Sequence, residues 1–250
     1  MSSSILDNAE YLRQRIAPRP GDPFYLHLAD LLQGLMQEAS TQEAIELLDY
    51  GCGGSPYRSL FPNAHYVRAD VPGTPGIDFE IGSQGLIAAV PGSFDLVLSS
   101  QVLEHVPDVT TYLRSCFHLL RPGGRLVLTT HGVFEDHACP DDFRRWTADG
   151  LRKDVSSAGF EILTAKKLTT EGRALALLLR TKLYLLAAHQ RDAFGILFRI
   201  ANRVLIRLSR ALDSWCDIRL SGFRIADSGQ EGHTIYIAIL IVAQKPVREV

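Results

Sequence analysis

Several things are missing from this 250-residue chain, and each absence excludes a class of protein. Its four cysteines (Cys52, Cys116, Cys139 and Cys216) lie far apart, with no Cys-x-x-Cys pair and no zinc-ligand spacing. A disulfide-stapled scaffold and a zinc finger are thereby excluded. Neither sign of charge is in excess: 26 Lys+Arg meet 28 Asp+Glu, and a net charge of −2 argues against a surface built for nucleic acid. Apolar runs long enough for a polytopic membrane protein are missing. The opening MSSSILDNAEYLRQR has no apolar signal segment, so a cytoplasmic protein with reduced thiols is expected. What remains is ordinary globular material, 46% apolar and 22% charged, enough for a single domain over residues 1–250 with a substantial appendage.

From Ala44 to Leu168 short β-forming runs alternate with helical stretches. The strand candidates are Ala44–Asp49, His65–Ala69, Phe94–Ser100, Arg125–Thr130 and Phe160–Leu168, with Ile77–Ile81 a weaker sixth. Several are apolar almost throughout, which suits strands covered on both faces of a parallel sheet. The helices between them include Thr110–Leu120, closed by Arg121-Pro-Gly-Gly, and Thr147–Ala158, opened by a capping threonine and closed by Gly159. This alternation reads as a doubly wound α/β core over residues 44–168. Ahead of it, residues 22–40 contain an amphipathic helix, Phe24–Ala39, expected to cover one sheet face. Residues 171–225 differ: ten Lys/Arg against four Asp/Glu, in two helical candidates, Arg173–His189 and Asp192–Trp215. A last strand, Thr234–Lys245, is expected to rejoin the sheet edge.

The strongest local signal is Leu47-Leu-Asp-Tyr-Gly-Cys-Gly-Gly-Ser-Pro56. A buried strand ends at Asp49, and glycines follow at once, allowing a tight turn and close approach of a ligand at the carboxyl edge of the sheet. Asp70, twenty-one residues beyond Asp49, ends the next strand, where an acid can accept both hydroxyls of a ribose. No Lys-Ser/Thr follows the glycines, so the loop is not a Walker cradle. Pro56 stands where a dinucleotide fingerprint would have its third glycine. A ligand with a ribose but no pyrophosphate fits better than NAD.

At this point a resemblance becomes specific. Asp49-Tyr-Gly-Cys-Gly53 resembles the first motif of the class I S-adenosylmethionine-dependent methyltransferases, and Asp70 falls on that family's ribose-binding acid. Ser93–Pro107 resembles its fourth-strand motif, and Leu120–Leu128 its turn into the fifth strand. His137–Thr147, with Gly150-Leu and Ala158-Gly-Phe, is similar to a segment of the type 11 branch. The resemblance implies a Rossmann-like, seven-stranded mixed sheet whose last strand is antiparallel, with the helical insertion placed before that strand. It implies S-adenosylmethionine as cofactor and methyl transfer, with oxygen of a small molecule or a sugar- or lipid-linked intermediate as acceptor. Carbon or nitrogen transfer, or an inactive cofactor-binding partner protein, are the alternatives. Carried over by position, Gly51, Cys52 and Gly53 line the methionine part of the cofactor, Asp49 holds the loop and the amino group, and Asp70 holds the ribose. Ser100 and Gln101 face methionine or substrate; Asp78 and Ile81 are the candidates at the adenine.

Aligning an already activated methyl donor asks little of side chains. A hydroxyl acceptor gains from a nearby base titrating close to neutrality, and histidine suits that role. His105, His131 and His137 are the candidates, with His137 first because it lies in the loop where substrate enters; the alternative for it is hydrogen bonding to Asp141 or Asp142. Some family members bind a divalent ion through Glu-x-x-Glu-His. Here Gln101 replaces the first acid, so no metal is expected, and Glu104 and His105 are read as shaping the loop. Trp146 with Arg144 and Arg145 either touches substrate or anchors the next helix. On a helical wheel, Arg199, Arg203, Arg207 and Arg210 oppose a wide aliphatic face. That pattern fits a lid with its aliphatic face buried, or a helix on the inner face of an anionic membrane.

Overall fold

The computed structural model describes residues 9–39, 44–139, 141–189, 193–229 and 234–247, and within the last two helices it leaves out most side chains between 183 and 206. Among the described residues, two helices, α1 (Ala9–Ile16) and α2 (Tyr25–Glu38), precede the sheet. Strands β1 (Glu46–Tyr50), β2 (His65–Asp70), β3 (Phe79–Glu80), β4 (Phe94–Ser100), β5 (Leu120–His131) and β6 (Glu161–Thr170) follow, with α3 (Val109–Leu119) and α4 (Ala148–Ser157) between the later ones. Then come α5 (Glu171–His189), α6 (Ala193–Arg219), a short β7 (Ile225–Asp227) and β8 (Tyr236–Gln244).

The sheet has eight strands in the order β3-β2-β1-β4-β5-β8-β6-β7. The first three pairings from β3 to β4 and the β4–β5 pairing are parallel. The last strand was expected at an edge and antiparallel. It is antiparallel, but β8 enters between β5 and β6, pairing with both. Its composition explains this: every residue from Tyr236 to Ala243 is buried, which an edge position would not provide. The edge is instead taken by β7, an eighth strand of three residues that no sequence pattern announced.

Asp108 caps α3, its Oδ1 accepting the Thr111 N–H at 3.0 Å, and Thr147 caps α4 as expected. Arg121-Pro-Gly-Gly follows the helix as expected and also forms the first stretch of β5, where Gly124 packs so closely that a Cβ would lie 2.9 Å from the Arg121 carbonyl. One apolar core, around Leu48, Tyr112, Leu113 and Leu151, joins β1 and β4 to α3 and α4. A second, on the other face, packs Leu31 and Leu35 of α2 against Leu47, Leu98 and Leu240. The order of strands reverses between β1 and β4, so the crevice above their carboxyl ends is where this architecture takes a ligand.

Candidate functional site

The crevice is built from the turn after β1. The chain leaves Tyr50 through Gly51 and Gly53, both left-handed (φ 86° and 50°). At Gly51 a side chain is barred twice, by that φ and because a Cβ would come within 2.5 Å of Val102 Cγ2. The turn is held from β2: the N–H groups of Gly51 and Cys52 both donate to the Ala69 carbonyl, at 2.9 and 3.0 Å. The Gly53 N–H donates to one oxygen of Asp70, whose other oxygen takes the Val71 N–H at 2.7 Å. Arg68 donates to the Gly53 carbonyl at 3.0 Å and to Ser55 Oγ at 2.7 Å. Asp70 thus stiffens the loop, and each of its oxygens retains acceptor capacity for a second donor.

Beneath the loop Asp49 is buried and accepts the Tyr66 O–H at 2.6 Å. Burial, reinforced by the negative charge of Asp70, pushes its carboxyl up to about 7 in spite of the Tyr66 bond. Cys52 is also buried, and its thiol is pushed up to about 12, chiefly by desolvation, so it is a small wall residue and not a nucleophile. At the end of β4, Ser100 Oγ lies 3.1 Å from Thr129 Oγ1, and Gln101 adopts a left-handed φ of 57° with its N–H on the Thr129 carbonyl. Such backbone persists where surrounding bonds over-determine it, and it marks functional turns. The Gln101 Oε1 is buried with no hydrogen-bond partner among the described residues. Of the two adenine candidates, Ile81 is brought beside Asp70 by its N–H on the Asp70 carbonyl at 2.8 Å. Asp78 is exposed and committed to the Arg68 N–H.

The residues present therefore fit a small nucleoside cofactor with a positively charged amino acid end. A close-approach glycine turn, an acid with spare acceptor sites, a second acid below and an orphaned amide oxygen converge on one crevice.

Beside it stands a cluster the sequence only partly announced. His131 ends β5, is buried, and stacks on Phe134 with ring centres 4.3 Å apart and planes 6° from parallel. His137 meets both His131 and His105 edge-on, at 5.0 Å from each. His27 of α2 lies 5.4 Å from His131. Thus His105, His131 and His137 are brought together. His27 went unnoticed because its segment, FYLHLADLL, reads as an ordinary apolar helix face. Burial drives His27 down to about 3 and holds His131 well below its ordinary value, so both rings are neutral. His137, with 34% of its side chain exposed against 5% for His131, is lowered mainly by burial and then by His105.

Glu104, fully buried, takes the Thr130 O–H at 2.8 Å and faces His131 Nε2 at 3.4 Å. Burial raises its carboxyl pKa, so this contact joins two groups that each favour the neutral form. One ligand atom each from Glu104, His131 and His137 lie within 4.8 Å of one another, a set able to hold a divalent cation. The expectation of no metal rested on Gln101, which takes no part in this set.

The loop carrying His137 is anchored by its neighbours. Arg145 grips Asp142 with two bonds of 2.6 Å, Arg144 donates to the Val106 carbonyl at 2.8 Å, and Trp146 donates to Asp154 at 3.0 Å. These three residues anchor the loop and the helix after it. The His137 N–H donates to Asp142 at 2.8 Å, while the Asp141 carbonyl is the partner of His105. Helix α1 closes the far side of the crevice: Leu12 and Ile16 line a shallow cleft with Gly54, Ser55 and Pro56, and Arg15 stacks 3.3 Å over Tyr11.

The family model for a methyltransferase domain matches residues 24–168. Among curated proteins, the ubiquinone biosynthesis O-methyltransferase of Xanthomonas euvesicatoria pv. vesicatoria is 49% identical over 55 residues, 22% of this chain and 23% of that protein. The protein of the same name from Pseudomonas paraeruginosa is 30% identical over 98 residues, 39% of this chain and 40% of its own. The chain thus spans well under half the length of these relatives. Among solved structures, the [4+2]-cyclase SpnF superposes with a TM-score of 0.58 at 20% identity, covering 98% of this chain and 95% of the cyclase. A phosphoethanolamine N-methyltransferase of Haemonchus contortus, solved with S-adenosyl-L-methionine, gives 0.53 at 15% identity, covering 98% and 60%. A family match over more than half of the chain joins a glycine turn, a strand-end acid and a strand order that point the same way, and the chain belongs to the class I methyltransferases, enzymes that take S-adenosylmethionine as cofactor.

Proposed function

We propose that this enzyme methylates an oxygen of a small or a sugar- or lipid-linked acceptor, with His137 as the base. The observation that carries the reading is the placement of His137: a neutral, half-exposed imidazole at the rim of a buried cluster, beside the crevice that fits the cofactor. When bound, the cofactor supplies an activated methyl group on a sulfonium. The chain's own work is then to align the acceptor and exclude water, and to receive its proton at His137. His131 and Glu104 pack beneath and orient that ring through the cluster, and the Arg145–Asp142 pair holds its loop. The name of the matched relatives supports transfer to oxygen. The fold alone does not decide it, since it is shared with an N-methyltransferase and a cyclase. All four cysteines are unpaired, which suits the reducing cytoplasm where the reading places the enzyme.

The test is turnover of labelled cofactor with a panel of phenolic and hydroxylated lipid acceptors. On an accepted substrate, His137→Ala should lower turnover about a hundredfold, with affinity for S-adenosylhomocysteine within about twofold. Unchanged turnover removes His137 from the chemistry. Residues Asp49, Gly51, Cys52, Gly53, Asp70, Ile81, Ser100 and Gln101 are assigned to the cofactor, Asp70 to its ribose. Asp70→Ala should weaken S-adenosylhomocysteine by about 1.5–3 kcal/mol, the scale of hydrogen bonds to a charged group, by calorimetry. Equal affinities would place the ribose elsewhere.

A further inference from the structure

We propose that α6 seats the enzyme on the surface of an anionic lipid bilayer. At 27 residues α6 is about 40 Å long, and a row of its apolar side chains faces solvent: Ile200, Val204, Leu208, Leu212, Trp215 and Ile218 are 41–75% exposed. The spacing of four, four, four, three and three residues sets them on one side of the helix. The lid alternative required this face to be buried and only arginines to meet water. The helix is oriented otherwise.

The cause is visible in what the helix does bury. Asp213 is fully enclosed, accepting the Gly21 N–H at 2.8 Å and pairing with Arg180 at 2.6 Å. Cys216 is enclosed beside it, and Asp217 pairs with Arg173 and Arg224 at 3.0 and 2.6 Å. Rolling α6 to cover its aliphatic row would pull these carboxylates from their partners and leave buried charges unpaired. The apolar row is therefore held outward by the ion pairs on the other face.

An apolar row of this length is rarely left uncovered on a soluble monomer. The charge beside it selects the cover. Arg207, Arg210 and Arg219 are exposed along the same helix, in a segment, 171–225, that is locally basic on a chain of net charge −2. A second copy seated by two-fold symmetry would bring the same arginines against themselves. A bilayer with anionic headgroups accepts both features: the arginines meet phosphates and the aliphatic row enters the headgroup–acyl boundary, where tryptophan is favoured. No described helix is long and apolar enough to cross a membrane, so the contact lies along the surface.

This inference does not depend on which acceptor is methylated, and its test needs no turnover. The full chain is sedimented with vesicles of phosphatidylcholine alone and with about 30 mol % phosphatidylglycerol. Binding to the anionic vesicles only, weakened about tenfold or more in 0.5 M salt, is expected. Leu208→Glu with Leu212→Glu should abolish it, and Arg207→Glu with Arg219→Glu should reduce it about tenfold or more. All four side chains are exposed, so the variants should keep the circular dichroism and the S-adenosylhomocysteine affinity of the parent. No sedimentation at low salt overturns the proposal, as does binding that the Leu208/Leu212 pair leaves unchanged. Concentration-dependent dimers lost in that pair, without vesicle binding, would assign the face to a second copy instead.

Discussion

Replacing Arg173 by methionine is expected to destabilise the protein by about 3–5 kcal/mol, measured by urea unfolding. Arg173 is fully buried on α5, donating to both oxygens of the equally buried Asp30 on α2, at 3.0 and 2.7 Å, and to Asp217 of α6 at 3.0 Å. Arg224 joins the same two acids, and Tyr25 donates to Asp217. Burial holds the Asp30 carboxyl up at about 6 even against the lowering pull of Arg173 and Arg224. Without Arg173, Asp30 keeps the 3.2 Å contact of Arg224 but loses its two-bond partner, and must stay under-paired in an apolar setting or take up a proton. The cost comes from the charge left behind, so the double variant Arg173→Met, Asp30→Leu should recover much of it. A single-variant loss below about 1 kcal/mol would mean that water reaches the network and that it does not tie the insertion to α2.

Replacing Asp49 by asparagine should stabilise the cofactor-free protein at pH 8 while weakening the cofactor. In the folded chain the Asp49 carboxyl titrates at about 7, far above its ordinary value. A group whose pKa rises on folding contributes stability that is complete below its unfolded pKa and is lost as pH climbs through the folded one. Between pH 4 and pH 8 the parent should therefore lose on the order of 4 kcal/mol at this site. Asparagine keeps an acceptor for the Tyr66 O–H without a charge to desolvate, so the variant should be the more stable at pH 8 and level with the parent at pH 4. Its affinity for S-adenosylhomocysteine should fall about tenfold or more, as the ammonium loses a charged partner. Identical pH–stability curves would show that Asp49 ionises freely in the folded state.

The same residues show what was legible before any fold was known. The doubly wound core follows from local patterns: continuous apolar runs demand strands covered on both faces, and helix caps and stops punctuate them. The glycine turn is equally local, because Gly51 and Gly53 sit where the backbone is left-handed, Gly51 is close-packed besides, and Asp70 follows at the end of the adjacent strand. Aromatic and histidine positions were legible only one at a time. His27, His105, His131, Phe134 and His137 come from α2, the turn after β4, the end of β5 and the loop beyond, and no spacing encodes their meeting.

Backbone preferences and periodicities spanning a few residues are enough to specify the α/β class, the glycine turn and the acid that ends β2. Tertiary structure alone decided that β8 lies inside the sheet, that Glu104 sits against His131 rather than with Gln101, and which way α6 is turned. A helical wheel divides α6 into faces of different polarity, but burial goes to the face whose long-range partners are strongest. Asp213 and Asp217 find Arg180, Arg173 and Arg224 on segments remote in the chain or across a turn, and the aliphatic row is left to the outside.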